Sequence, residues 1–380
     1  MHRMRAAIVA MVSTATVAQA QCMYEVIELP VPDCGPIPSS ITVEDMNIHG
    51  AVVGRWRTCD LNAFAIYYWT PEDGHHPEFS LPPGAAQAYA KGVNDKGHMT
   101  GRAVGPDGHQ FGWAWIDGRY ITIPIPDGQG NGIEAMAINN HDQIVGWLGV
   151  GPLGERHPFL WEDGELTLLD DIVGSSNACA QDINDDGTIV VRSFSPSQVI
   201  VIDAGRSHVL PNLNCADGSV PIAQPYAIGP AGTVVGRISC FQPEYVENAV
   251  RWDMTELTII SSDARAYGIN RFGTIVGGGE MGAWILLNGE FISLAELSGL
   301  RTSSAWVIND RGEILMTGDD VVFRPLDRPG ADITADCHID ARDLAVVLAD
   351  WGLADSVADL DRDGIVGAAD LESVLRGWTR

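Results

Sequence analysis

The chain reads as an all-β seven-bladed β-propeller whose ring is closed by an N-terminal strand, followed by a small all-α module built on calcium loops. Three observations predict this. A short phrase, clearest as Gly268-Ile-Asn-Arg-Phe-Gly-Thr-Ile-Val-Gly277, recurs seven times, starting at Asp45, Gly92, Ala137, Asp182, Ala227, Gly268 and Val307. Its third residues (Asn47, Asn94, Asn139, Asn184, Gly229, Asn270, Asn309) are spaced by 47, 45, 45, 45, 41 and 39, the length of one four-stranded blade and too long for a β-helix coil. Beyond residue 330 the phrase stops and two carboxylate-rich loops of matching layout take its place.

The N-terminus carries Met1-His-Arg-Met-Arg5, an apolar run from Ala6 to Ala18, and Ala18-Gln-Ala20. A charged start, an apolar stretch short for a bilayer and a small-residue cleavage site predict a removed signal peptide over 1–20 and an exported protein. No comparable apolar run follows, so membrane insertion is not expected. With 23 basic against 50 acidic residues the net charge is −27. Such a field repels phosphate backbones and argues against nucleic-acid binding; it suits solubility and calcium ligation.

Each copy of the phrase reads as a hairpin. Asn at the first turn position and Gly at the fourth suit a type I turn followed by a left-handed residue. The Asn side chain can bond its own backbone, and Gly takes positive φ without steric cost. Third strands are expected at 63–68, 111–116, 158–161, 199–202, 249–252, 283–287 and 321–323. Fourth strands are expected at 78–81, 120–125, 166–169, 209–213, 257–260 and 291–294, one too few. The alternating segment 24–29 supplies the missing one beside 321–323, giving 28 strands within a propeller of residues 21–326, a linker at 327–330 and a module at 331–380. The wording of His157-Pro-Phe-Leu-Trp161-Glu-Asp-Gly164 and Asn248-Ala-Val-Arg-Trp252 resembles the extracellular HAF-type repeat family. That resemblance implies an exported bacterial propeller and no defined chemistry.

Export permits disulfides, and the repeat sets their register. Cys34 lies 13 residues before Asn47 and Cys59 lies 12 after it; Cys215 lies 14 before Gly229 and Cys240 lies 11 after it. In both cases one cysteine precedes the innermost strand and the other follows the second, so antiparallel pairing brings them to the same face of the same blade. The expected bridges are Cys34–Cys59 and Cys215–Cys240. Cys179 is expected as a small buried hydrophobe, and Cys22 and Cys337 stay unassigned.

In the C-terminal segment Asp359, Asp361, Asp363 and Asp370 occupy loop positions 1, 3, 5 and 12, with Gly364 at the sharp turn and the Ile365 carbonyl at position 7. This is the spacing of hard oxygen ligands wrapped around one calcium ion. A similar loop 27 residues earlier has Asp332, Thr334, Asp336, Asp340 and Asp343 at positions 1, 3, 5, 9 and 12, and the His338 carbonyl at 7, with Cys337 in place of the turn glycine. Each loop feeds one helix of matching layout, Leu344, Leu348 and Trp351 against Leu371, Leu375 and Trp378. Asp at position 12 and one helix per loop resemble a type I dockerin module, which implies calcium as cofactor and a cohesin-like or cell-surface partner. Where that family commonly carries Ser-Thr for cohesin recognition, this chain has Ala341-Arg342 and Ala368-Ala369.

No G-x-S-x-G, Walker loop, H-E-x-x-H or C-x-x-C occurs. One repeat position is chemically suggestive: the residue after the second-strand Gly position is Arg55, Arg102, Trp147, Arg192, Arg237, Gly278 and Thr317 in the seven copies. Four arginines there would form a partial ring able to grip an anionic sugar or carboxylate bidentately; equally they could cover neighbouring blades and pair with the abundant carboxylates. The leading functional expectation is an exported non-catalytic binding or scaffold protein that recognises a ligand such as an acidic glycan. The alternative is a polysaccharide hydrolase or lyase.

Overall fold

The computed structural model describes residues 23–35, 39–59, 63–79, 81–126, 130, 132–150, 154–216, 218–241, 245–294, 304–326, 331–334, 338–354, 356–361 and 363–378. The expected signal peptide and linker, and Cys22, Asp336 and Cys337, lie outside the described residues.

Seven four-stranded antiparallel sheets hold 28 strands, six of them in simple sequence order from β2 (Ile41–Met46) through β25 (Glu290–Ser293). The seventh runs β26 (Ser304–Ile308), β27 (Ile314–Thr317), β28 (Val321–Leu326) and then β1 (Met23–Glu28). Val26 lies opposite Phe323 in that pairing, so the N-terminal strand closes the ring as its alternation predicts.

Two fourth strands differ from expectation. In the first blade it is β5 (Gly74–His75), while Pro77–Phe79 forms a 3-10 turn. Pro77 has no N–H for a ladder, and Phe79 instead packs edge-on against Tyr68 and Trp115, with both pairs of centroids 5.0 Å apart. In the fourth blade it is β17 (Arg206–Val209), because Ala204 and Gly205, at φ 47° and 74°, make so tight a turn that pairing resumes at once. The apolar Leu210 that suggested a later strand is buried just past its end.

The repeat phrase now has a physical account. Every innermost strand carries a register shift, between Val43 and Asp45 in the first blade and at the matching place in the others. Opposite the shift, a Cβ on Gly54, Gly101, Gly146, Gly236 or Gly277 would sit 1.9–2.2 Å from an inner-strand carbonyl oxygen. The second-strand Gly is thus a close-approach residue. The fourth and seventh blades place Val191 and Met316 there.

The Asn has a second role beyond its turn. In Asn47, Oδ1 accepts from His49 N and Ala51 N, both at 3.0 Å, while Nδ2 donates to the Asn94 carbonyl at 2.9 Å. Nδ2 of Asn94, Asn139 and Asn184 reaches the Asn139, Asn184 and Gly229 carbonyls at 2.9, 3.0 and 3.1 Å. Nδ2 of Asn270 and Asn309 reaches the Asn309 and Asn47 carbonyls at 3.3 and 3.0 Å. The circuit runs right round the axis and lacks one link, because Gly229 has no side chain to donate to the sixth blade.

Separate apolar clusters fill the spaces between blades, with Trp113, Trp252 and Trp284 fully buried. The expected bridges form: Cys34–Cys59 and Cys215–Cys240 have Cα atoms 5.1 and 5.7 Å apart, and Cys179 is buried as a free thiol. At the C-terminus, helices Ala341–Ala349 and Ala368–Gly377 pack through Val347 and Val374. Phe272, from the sixth-blade turn, joins that cluster, and its neighbour Arg271 pairs with Asp350 at 2.8 Å.

Candidate functional site

In the second calcium-type loop the carboxylates of Asp359, Asp361 and Asp363 converge, with one oxygen from each within 4.8 Å of the others. Gly364 stands at φ 97°, the left-handed conformation the turn needs. Asp359 Oδ2 accepts from Gly364 N at 3.0 Å, but Asp359 Oδ1 is buried with no hydrogen-bond partner among the described residues. A sealed, unpartnered carboxylate oxygen is costly unless a cation sits on it, so the donor set fits calcium. Asp370, buried at position 12, ties loop to helix: Oδ1 accepts from Leu360 N at 2.7 Å and Oδ2 from Gly367 N at 2.6 Å.

The first loop is more self-contained. Asp332, Thr334 and Asp343 are all buried. Thr334 donates through both N and Oγ1 to Asp343 Oδ1, at 2.9 and 3.1 Å, and Asp340 N donates to Asp343 Oδ2 at 2.8 Å. Asp340 Oδ1 caps the helix through Arg342 N. In both loops the position-12 carboxylate, Asp343 or Asp370, is satisfied by loop donors; the unpartnered oxygen is that of Asp359.

The arginine position resolves into stacks and an ion-pair knot. The Arg55 guanidinium lies 5.1 and 5.2 Å from the Phe64 and Tyr89 ring centroids, and Arg102 lies 4.9 Å from Tyr89. Arg156 lies 4.4 Å from Trp147 and 5.4 Å from Phe194, with Arg192 4.6 Å from Phe194. Desolvation, then like charge from Arg237 and Arg156, lowers the Arg192 pKa. Arg237 instead pairs with Glu247, which also binds Arg265 at 2.7 Å, and bonds Gln224. Among the described residues Arg55, Arg156 and Arg192 have no carboxylate within ion-pair distance. Covering of neighbours, expected for such arginines, is thus accomplished by aromatic faces more than by carboxylates. Arg156 was not visible from the repeat, because it enters from the third strand.

The axis of the ring is a channel of about 360 Å³ lined by the innermost strands, and none of the five expected ligand-binding residues lines it. Residues three before each phrase Asn do: Glu44, Lys91, Met136, Gln181, Tyr226, Tyr267 and Trp306. Counting back from the Asn would have found this tier in the sequence. Lys91 is paired with Glu44 at 2.9 Å. Tyr226, Tyr267 and Trp306 form one wall, with centroids 4.9 Å apart for the first pair and 4.4 Å for the second.

Asp45 and Asp182 also line the channel. Each touches the channel volume yet is walled by protein, and desolvation pushes Asp45 up to about 6 and Asp182 up to about 7 against the lowering effect of backbone N–H bonds. Those bonds staple adjacent blades: Asp45 Oδ2 accepts from Val93 N and Asp182 Oδ2 from Ile228 N, both at 2.9 Å.

No family model matches the chain, and no curated protein matches it. Among solved structures it is similar to virginiamycin B lyase from Staphylococcus aureus, crystallised with quinupristin, at 11% identity and a TM-score of 0.51 over 80% of this chain and 100% of that one. It is also similar to a prolyl endopeptidase at 9% identity and a TM-score of 0.51, covering 85% of this chain and 51% of that one. The extracellular domain of a proposed one-component system from B. thetaiotaomicron aligns at 10% identity and a TM-score of 0.49, over 82% of this chain and 40% of that one. The chain thus spans about half the length, or less, of the last two. Disulfides are present, and among the described residues no helix is long and apolar enough to cross a membrane. At such identities the likeness is one of fold alone, the β-propeller; the disulfides are compatible with an extracellular location.

Proposed function

We propose that the protein is an exported, non-catalytic binding or scaffold protein, in which HAF-type blades present a recognition surface and a dockerin-like module folds around calcium. The module would attach the propeller to a cohesin-like or cell-surface partner. The observation that carries this reading is the convergence of Asp359, Asp361 and Asp363, with a buried Asp359 oxygen that has no hydrogen-bond partner among the described residues. Titration calorimetry of calcium into metal-stripped protein tests it. A calcium isotherm that Asp359→Ala weakens at least tenfold supports the reading, and the absence of calcium binding removes it.

An acidic glycan is the ligand class that the stacked, carboxylate-free Arg55, Arg156 and Arg192 support in an otherwise strongly acidic protein. Binding of uronate oligosaccharides that Arg192→Ala abolishes would support it, and a glycan array without acidic hits would exclude it. The hydrolase or lyase alternative draws on Asp45 and Asp182, whose raised pKa values suit a general acid. Both oxygens of each carboxylate already accept backbone N–H groups, which favours a stapling role. Reducing-sugar release from polysaccharides by the mature protein would reverse this preference.

A further inference from the structure

The central channel combines two properties that neither the turn phrase nor the calcium loops require. Its blade five to seven wall is a continuous aromatic surface, with Tyr226, Tyr267 and Trp306 at successive centroid distances of 4.9 and 4.4 Å and each partly open to the channel. Its charge is unbalanced. Lys91 is taken by Glu44 and Arg271 by Asp350, while Asp45 and Asp182 have no cationic partner among the described residues.

We propose that the channel is a binding site for a small organic cation, an ammonium group on an apolar body, held on the aromatic wall and balanced by Asp45 and Asp182. Aromatic faces and carboxylates attract the same sign of charge, and they do so more strongly in a walled site than in water. A volume of about 360 Å³ suits a ligand of that size. A bare metal ion does not fit the arrangement: among the described residues the one acidic trio close enough to chelate is Asp359, Asp361 and Asp363, outside the channel. Anions meet the carboxylates directly, so the acidic glycan considered for the arginine stacks belongs elsewhere. An uncharged ring of the same shape gains from the wall alone.

Titration calorimetry of the calcium-loaded full-length protein at about pH 8, where Asp45 and Asp182 are ionised, with choline and with its uncharged isostere 3,3-dimethylbutan-1-ol separates these cases. Choline is expected to bind, and the isostere to bind roughly tenfold more weakly or not at all. Tyr267→Leu, which keeps apolar bulk and removes the π face, is expected to weaken choline several-fold, and Asp182→Asn likewise. Equal affinity for the two probes would overturn the proposal, as would no choline binding at tens of millimolar. Should Asp182→Asn loosen the blade staple and fail to fold, Tyr267→Leu still decides: unchanged choline affinity in that variant overturns the wall.

Discussion

Gly229→Asn should stabilise the propeller, because it supplies the one link missing from the Asn circuit. In the first blade, Asn47 makes two local bonds through Oδ1 and one bond to the next blade through Nδ2. The fifth blade has the same turn, with Gly232 N bonded to the Gly229 carbonyl at 2.9 Å, but no side chain to add to it. The substitution fits: the nearest atoms to a Cβ at Gly229 are those of the Ile269 side chain, at an ordinary 3.5–3.7 Å, and Gly229 does not adopt positive φ. Pro230 is no obstacle, since it favours an extended residue before it and suits the second position of a type I turn. Three added hydrogen bonds at about 1 kcal/mol each, plus about 0.4–1 kcal/mol from the less flexible unfolded chain, less the cost of ordering the side chain, leave a net gain of about 2 kcal/mol. For a domain of this size that raises Tm by about 4 °C, read by calorimetry in saturating calcium. Gly229→Ala is the control, because it captures the chain-entropy part without the bonds. An Asn variant no more stable than the Ala variant would refute the circuit as a source of stability.

Gly101→Ala should destabilise by about 3 kcal/mol or more, since its Cβ would lie 1.9 Å from the Tyr89 carbonyl oxygen; urea unfolding measures this. Stability should also fall on both sides of mildly acidic pH. Asp45 and Asp182 have folded pKa values raised to about 6 and about 7, so their contribution is full below the unfolded value near 3.8 and is lost as pH rises through the folded values, on the order of a few kcal/mol. Glu247 and Asp142 run the other way: burial alone would raise them, but hydrogen bonds from Arg265 and Arg237, and from His98 and Lys96, lower them, so their contribution is lost as pH falls through the folded values. A Tm–pH profile should therefore peak between about pH 4 and 6, and Asp182→Asn should flatten its alkaline side. Arg271→Ala leaves Asp350 without its cation and should speed proteolytic release of the C-terminal module, followed by electrophoresis.

The architecture was legible because each blade repeats its instructions. Seven turn phrases, the alternation of 24–29 and two cysteine pairs in register were enough to place the strands and bridges. The misplaced fourth strands show where that logic ends. Outer strands are half exposed and carry little pattern, so Pro77 and the Ala204-Gly205 turn decided what hydropathy could not. The Asn was read as a turn residue, which it is, but its Nδ2 acts across 39 to 47 residues of chain, or 262 where Asn309 closes the ring, and only the packing of blades brings that acceptor into reach. The arginines were found by repeat position, whereas Phe64 and Tyr89 come from another strand and the next blade, and Phe194, on Arg192's own strand, carries no repeat signal. The expected calcium loops were the reverse case: ligand spacing is local, so the sequence alone proposes them, while the unpartnered oxygen of Asp359 needed coordinates.

The gap in the Asn circuit and the docking of the C-terminal module meet at one place. A second series of inter-blade bonds runs beside the first, from Ile48 N to Asp95, Asp95 N to Asn140, Asn140 N to Asp185 and Arg271 N to Asp310. At the fifth blade this series is broken too, since Pro230 has no N–H to pass on and the neighbouring Arg271 offers no acceptor oxygen. The sixth-blade turn therefore receives neither tie from the blade before it. It is this turn that Arg271 and Phe272 fasten to the module, one through Asp350 and the other inside the module's apolar cluster. Ser356, between the two carboxylate-rich loops, donates to the same Asp350 oxygen at 2.5 Å. Any rearrangement of that segment acts directly on the partner of Arg271, at a seam that lacks both turn-to-turn ties and is held instead by the ion pair of Glu247 with Arg265.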